Sequence, residues 1–302
     1  MNLTTLVLLA LKTSIALTVL GFALRTRLAA VTRLFRHPRR LAQALFAMNV
    51  IMPLFAVTLA LVFDLHPAVK IALVALSVSP IPPLLPRKAL KAGGEESYTV
   101  SLLAAAGVAA IVLVPVAMEL FERIFKVPLA MTPAAIAKVV FSTVLAPLLA
   151  GVTIHEFAPR FANRWAKPVS ILAGILLIAS VLPIIITAWP AIVSLIGNGT
   201  IAAMASFIVA GLFFGHAFGG PEDGNRLTLA ISTATRHPGV AVAIAQSNFP
   251  GEPLAMAAVL LYLIVAAFVS LPYLRWVKRH HPGSTWIDAD TPATARIYRF
   301  HR

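Results

Sequence analysis

Nine stretches of about 20 mostly apolar residues follow one another along this chain, at roughly 3–24, 42–63, 67–90, 98–119, 132–154, 168–189, 200–219, 227–248 and 254–274. That is the length a helix needs to cross the hydrocarbon core of a bilayer. Composition agrees: 59% of residues are apolar and 12% charged, against about 25% charged in a soluble domain. A soluble enzyme carrying one anchor is excluded. The first run is not a secretory signal, because no basic residue precedes Lys12 and basic residues follow the run. The chain has no cysteine, which removes disulfide scaffolds, thiol nucleophiles and Cys-ligated zinc. The reading is an all-α polytopic membrane protein.

The net charge of +14 is distributed by topology. With nine spans, Arg25, Arg27, Arg33, Arg36, Arg39 and Arg40 share one side with Arg87, Lys88, Lys91, Arg160, Arg164, Lys167, Arg226 and six basic residues after 274. Arg123 and Lys126 alone lie in loops on the other side. The positive-inside rule then puts the N-terminus outside and the C-terminus in the cytoplasm. The basic excess is explained by topology and anionic lipid, with no nucleic acid required. Residues 275–302 read as a short polar cytoplasmic tail behind a membrane domain at 1–274.

Two runs are interrupted. The third holds Ser79-Pro80-Ile81-Pro82-Pro83-Leu84-Leu85-Pro86, with four prolines in seven positions. Each proline lacks a donor and crowds the preceding turn, so one regular helix cannot continue. The eighth holds Ser232-Thr233-Ala234-Thr235-Arg236-His237-Pro238-Gly239. The breaks lie five runs apart, hence in opposite orientations. Segments one to four (about 3–121) can pair with six to nine (about 132–274, counting the unpaired fifth) as an inverted repeat. Matched interruptions in two halves point to a transporter binding site, although two unrelated kinks would leave the same trace.

At these residues the sequence resembles the bile acid:sodium symporter superfamily, from about Val19 to Leu274. The cues are Leu34-Phe35-Arg36-His37-Pro38, Ile51-Met52-Pro53, the Pro-rich break, Lys91-Ala92-Gly93-Gly94, and Leu229-Ala230-Ile231 leading into Gly239-Val240-Ala241-Val242-Ala243-Ile244-Ala245. The resemblance implies an inverted-repeat fold with a six-helix core, a panel, and two crossed discontinuous helices, here 67–90 and 227–248. Ligand would bind between core and panel. The first family helix would be missing.

The resemblance also locates the family's sodium sites, and here the chain departs from them. The family's Glu and Gln on the second crossing helix fall on Ser232 and Arg236, and its Asn on His237. The Ser-Asn pair of the first crossing helix falls on Leu85 and Pro86. A Gln of the preceding span falls on Met48 or Asn49. Thr99 and Ser101 retain hydroxyls nearby. All eleven acids lie in loops, span ends or the tail. A cation beside Arg236 would meet strong repulsion at low dielectric, so sodium coupling at these positions is not expected.

Arg236 lies about nine residues from the inner end of its run, ~14 Å deep and near the midplane. Such an Arg is costly and must face protein or water. It reads either as an anion-binding or gating residue, with Thr235, Pro82 and Pro83 around it, or as a structural cap on freed carbonyls. His237 reads as a proton-coupling group or as a hydrogen-bonded residue at the break. Lys70 and Lys138 snorkel near the outer ends. Lys12 lies near the middle of its run, facing either the core–panel cleft or a wet interior. His216 is assigned no role. Lys12, Lys70, Lys138, Arg236 and His237 form an ionisable set without an acid, which favours a small organic anion.

No HExxH, GxSxG or Walker sequence is present, so an enzyme is not expected, and neither a metal nor a cofactor is called for. The expected function is a secondary transporter of a small organic anion, working by alternating access in the inner or plasma membrane. An uncoupled exporter or facilitator, and a non-transporting sensor or scaffold on the same fold, are the alternatives. Substrate identity, direction, coupling ion and oligomeric state are not encoded legibly.

Overall fold

A computed structural model describes residues 3–127, 129 and 132–280, and among them the secondary structure is helical. In chain order the helices are α1 (Leu3–Ala23), α2 (Leu28–Thr32), α3 (Pro38–Phe46), α4 (Met52–Val62), α5 (Pro67–Val78), α6 (Leu85–Lys91), α7 (Glu96–Phe125), α8 (Pro133–Val140), α9 (Ala146–Phe157), α10 (Pro159–Ser194), α11 (Thr200–Phe218), α12 (Asp223–Ala234), α13 (Pro238–Asn248) and α14 (Ala255–His280). A π turn at Ala47–Ile51 joins α3 to α4, and another at Phe141–Leu145 joins α8 to α9. Among the described residues, six continuous helices are long and apolar enough to cross a membrane. The remaining apolar runs are α1 and two interrupted pairs, α5–α6 and α12–α13. The chain is an integral, multi-pass membrane protein.

Several runs extend beyond their apolar limits for local reasons. α7 starts at Glu96 because the Glu95 carboxylate accepts from the N–H groups of Ser97 (3.1 Å) and Tyr98 (2.5 Å). This satisfies two of the donors a helix start leaves open. Its other end runs to Phe125 through a Glu119–Arg123 pair one turn apart at 2.7 Å. α10 is 36 residues long rather than the 22 of its apolar run and keeps Pro168, Pro183 and Pro190 inside. Prolines at the first turns of α3, α5, α8, α10 and α13 need no N–H there. The last helix runs past the end of its apolar run at 274. α14 continues to His280, held by Val277, which is buried, and by Trp276 against the His216 ring. Residues 281–302 lie outside the described residues.

The helices form two packing groups. α1, α9 and α10 lie together, with the Ser14 hydroxyl donating to the Ala173 carbonyl at 2.8 Å. The larger group gathers α4, α5, α7, α11, α12, α13 and α14 around one buried apolar cluster. α11 lies directly on α12, where a β-carbon at Gly215 would sit 2.5 Å from Ala230 Cα. Val19 and Ala23 of α1 share a smaller buried cluster with Leu148 and Val152 of α9, Val31 of α2, and Val100 and Ala104 of α7, and Ala23 lies directly against Gly151 of α9. Ile171, Leu172, Ile175, Ile178, Leu182 and Ile186 of α10 are exposed, as expected of a lipid-facing stripe.

Candidate functional site

The two interruptions meet. α5 stops at Val78 and α12 at Ala234, and Ser79 and Thr235 both take extended backbone. The peptide N–H of His237 donates to the carbonyl of Pro80 at 2.8 Å, joining one break to the other. Side chains take up the carbonyls freed at the ends of the half-helices. Ser79 Oγ donates to Ala75 O at 2.7 Å, and Thr235 Oγ1 donates to Ile231 O at 2.6 Å. The Tyr262 phenol of α14 donates to Ala234 O at 2.5 Å. A break in the hydrocarbon region survives only with such replacements.

Arg236 lies at the centre of this meeting and is 0% exposed. Its Nη1 donates to the carbonyl of Ser79 at 3.3 Å, and its Nη2 to the carbonyl of Met48 at 2.5 Å. Nε has no partner among the described residues. Met48 belongs to the π turn. In that register its carbonyl looks toward residue 53, and Pro53 has no N–H to offer. The guanidinium therefore ties together three irregular pieces of backbone, from the α3–α4 span, the α5–α6 span and its own.

His237 caps α13. Its Nδ1 accepts from Val240 N–H at 3.4 Å, and its Nε2 lies 3.4 Å from Thr143 Oγ1 in the second π turn. Nδ1 thus works as an acceptor, and a proton placed there would remove the cap.

The other candidates divide. Ser232 is buried and donates to Thr228 O at 2.6 Å, back along its own helix. Asn49 likewise turns to Leu45 O at 3.2 Å. Pro83, Leu85 and Pro86 are buried in the first break, and Pro82 is half-buried. Thr99 lies away from the crossing. Its hydroxyl meets that of Thr228 at 3.0 Å, eight residues before Arg236 on α12. Ser101 accepts from the Leu34 N–H at 2.6 Å and so holds the linker after α1. Lys12 and Lys138 are exposed. Lys70 lines a cavity of about 700 Å³ with Val74, Met118, Ile244, Asn248 and Glu252, at the α13–α14 turn end of the bundle.

Sequence reasoning missed the backbone carbonyls of Met48 and Ser79, Tyr262 and Thr143. The alignment reached Met48, but through its side chain. A proline five residues after Met48 was the available signal.

At the end carrying the basic linkers, Arg33 pairs with Glu95 at 2.8 Å and Glu222 at 3.6 Å, and Arg40 with Glu222 at 3.1 Å. The acids there are thus committed to arginines of the linker. Among the described residues no group of three or more His, Cys, Asp or Glu side chains has the arrangement of a metal site.

The model of the sodium bile acid symporter family matches residues 13–210, well over half of the chain. No curated protein sequence matches it.

Proposed function

Since the chain belongs to the sodium bile acid symporter family, a family of membrane transporters, we propose that it moves a small organic anion by alternating access and needs no sodium at the helix crossing. In this reading the nine apolar runs are nine spans, with the N-terminus outside and the C-terminus in the cytoplasm. α1, α8–α9 and α10 form the panel, and the remaining spans form the core. The two halves are inverted repeats.

One observation carries the reading. The position that the family resemblance assigns to a neutral sodium ligand is a wholly buried guanidinium, bonded to Ser79 O and Met48 O. A sodium ion at such a crossing would collect backbone and side-chain oxygens. Arg236 collects two backbone oxygens itself and brings the positive charge covalently. A second cation would face repulsion in a low dielectric, with the Glu position occupied by Ser232. His237, a neutral cap through Nδ1, is not assigned a proton-coupling role.

The competing reading is a sensor or scaffold on the same fold. It draws on the same burial of Arg236, whose two Nη groups both bond backbone carbonyls. Reconstituted vesicles separate the two. Uptake of labelled pyruvate, succinate, benzoate and cholate is measured in sodium and in potassium media. Flux of at least one of them, equal in the two media, is the expected result. Sodium-accelerated flux removes the Arg236 argument, and absence of flux for all four favours the scaffold.

A further inference from the structure

The cavity of about 700 Å³ at the α13–α14 turn end of the bundle is not lined by Arg236 or His237, and its walls carry a charge pattern of their own. We propose that it holds a membrane phospholipid with a primary-amine head, one acyl chain lying in the cavity and the zwitterionic head between Lys70 and Glu252. Neither an anion substrate nor movement between the helix groups is needed for such binding.

The walls come from α4, α5, α7, the segment after α7, α13 and the turn before α14. Among the described residues, α1, α8, α9 and α10 contribute none of the lining. The later half of one broken span and the earlier half of the other both face the cavity, α13 through Ile244 and α5 through Val74. The volume falls within the range of about 300–1,000 Å³ that suits a small amphiphile.

Polarity is graded with depth. Lys70 is the fourth residue of α5, and Glu252 lies in the turn between α13 and α14. Both are therefore close to the end of the bundle. Val74 lies one turn further along α5, and Ile244 one turn before the end of α13. Met118 is seven residues, about 10 Å, before the end of α7. Charge thus lies at the mouth and apolar side chains below it, which is the profile of a lipid at its head–chain boundary. Leu61 at the mouth continues an exposed stripe of α4, with Leu54 and Thr58 at helical spacing. A stripe of that kind faces lipid, so an acyl chain can enter sideways from the leaflet without crossing water.

The two charges select the head. Lys70 and Glu252 are half-buried in one cavity, yet neither pairs with the other or with another described residue. They are held on separate elements, Glu252 in a turn where its N–H donates to Phe249 O at 3.0 Å. A phosphate on Lys70 and a primary ammonium on Glu252 would make two charge-assisted hydrogen bonds. A choline head has no N–H to give Glu252. A glycerol head brings no cation, and a lone carboxylate or amine satisfies one wall only.

The chain has no cysteine, so Val74→Cys places a single thiol in the apolar part of the cavity. Thr58→Cys places one on the α4 stripe outside it. Full-length protein carrying either thiol is embedded in nanodiscs of pure phosphatidylcholine, or of phosphatidylcholine mixed with phosphatidylethanolamine or with phosphatidylglycerol. The rate of alkylation by N-ethylmaleimide is then measured, with folding checked by gel filtration. Phosphatidylethanolamine is expected to slow alkylation of Val74→Cys roughly tenfold, the worth of one charge-assisted hydrogen bond, and to leave Thr58→Cys unchanged. Phosphatidylglycerol should give the phosphatidylcholine rate. In the Val74→Cys background, Lys70→Gln and Glu252→Gln should each remove the protection, whereas Lys70→Arg should keep it. Equal rates in the three lipids, or protection that survives both Gln variants, overturns the site. Protection by phosphatidylglycerol equal to that by phosphatidylethanolamine overturns the zwitterionic head in favour of an anionic lipid on Lys70. No arm reads flux, so failure of the transporter reading and failure of the lipid site are told apart.

Discussion

Arg236 is held by a balance that a single substitution can test. A charged guanidinium is expensive at the centre of a membrane protein, yet removing it strands two buried carbonyls, those of Met48 and Ser79. An unpaired buried acceptor costs about 1–3 kcal/mol. Arg236→Met is therefore expected to lose roughly 2–4 kcal/mol net, read as a lower unfolding temperature in detergent. Tyr262→Phe strands only Ala234 O and should cost about 1–3 kcal/mol. A sharper test follows from the altered sodium position. In wild type, exchanging potassium for sodium should not move the unfolding temperature. Ser232→Glu combined with Arg236→Gln restores an acid and removes the cation, and that double variant should gain a sodium-specific shift. A shift already present in wild type would count against Arg236 as the ion's replacement.

The elements around this residue are irregular in ways that support one another. Two helices break, and the two π turns lie against them, Met48 reaching Arg236 and Thr143 reaching His237. The breaks are kept in register by α11, which lies so close to α12 that Gly215 and Gly211 face its backbone directly. A methyl group at Gly215 would sit 2.5 Å from Ala230 Cα and 2.6 Å from Leu229 O. Gly215→Ala must push the two helices apart, at about 1–3 kcal/mol or more. It should also disturb the crossing, seen as a lower melting temperature together with reduced flux. The Arg33 and Arg40 pairs with Glu95 and Glu222 are one-third to almost one-half exposed, so each contributes at most about 1 kcal/mol. Glu222→Gln should hardly change stability, whereas Glu95→Ala also removes the cap of α7 and should cost about 1–2 kcal/mol.

For the molecule as a whole, the proposed mechanism requires the α1–α10 group to move against the rest. Because the chain has no cysteine, paired cysteines can lock chosen contacts. A link between positions 14 and 173 joins two helices of one group and should leave anion flux intact. A link between α7 and α8 through positions 107 and 140, where a β-carbon at Gly107 would lie 3.1 Å from Val140 Cγ1, joins the proposed core to the proposed panel and should stop flux until reduced. Flux that survives the second link would mean that these groups do not separate during transport.

Much of this was legible before any coordinates. Span-length apolar runs and prolines at Pro80, Pro82, Pro83, Pro86 and Pro238 determine a polytopic helical protein with two broken helices, because bilayer thickness and the missing proline N–H act on local sequence. Arg236 was legible as an anomaly for the same reason, as a charge deep in an apolar run. What holds Arg236 was not legible, since its partners are backbone carbonyls on two other spans and carbonyls carry no residue signature. The π turn that frees Met48, the phenol of Tyr262 on Ala234, and the cavity that Lys70 and Glu252 share depend on which helices lie side by side. Packing across the bundle decides that, and periodicity within one segment cannot.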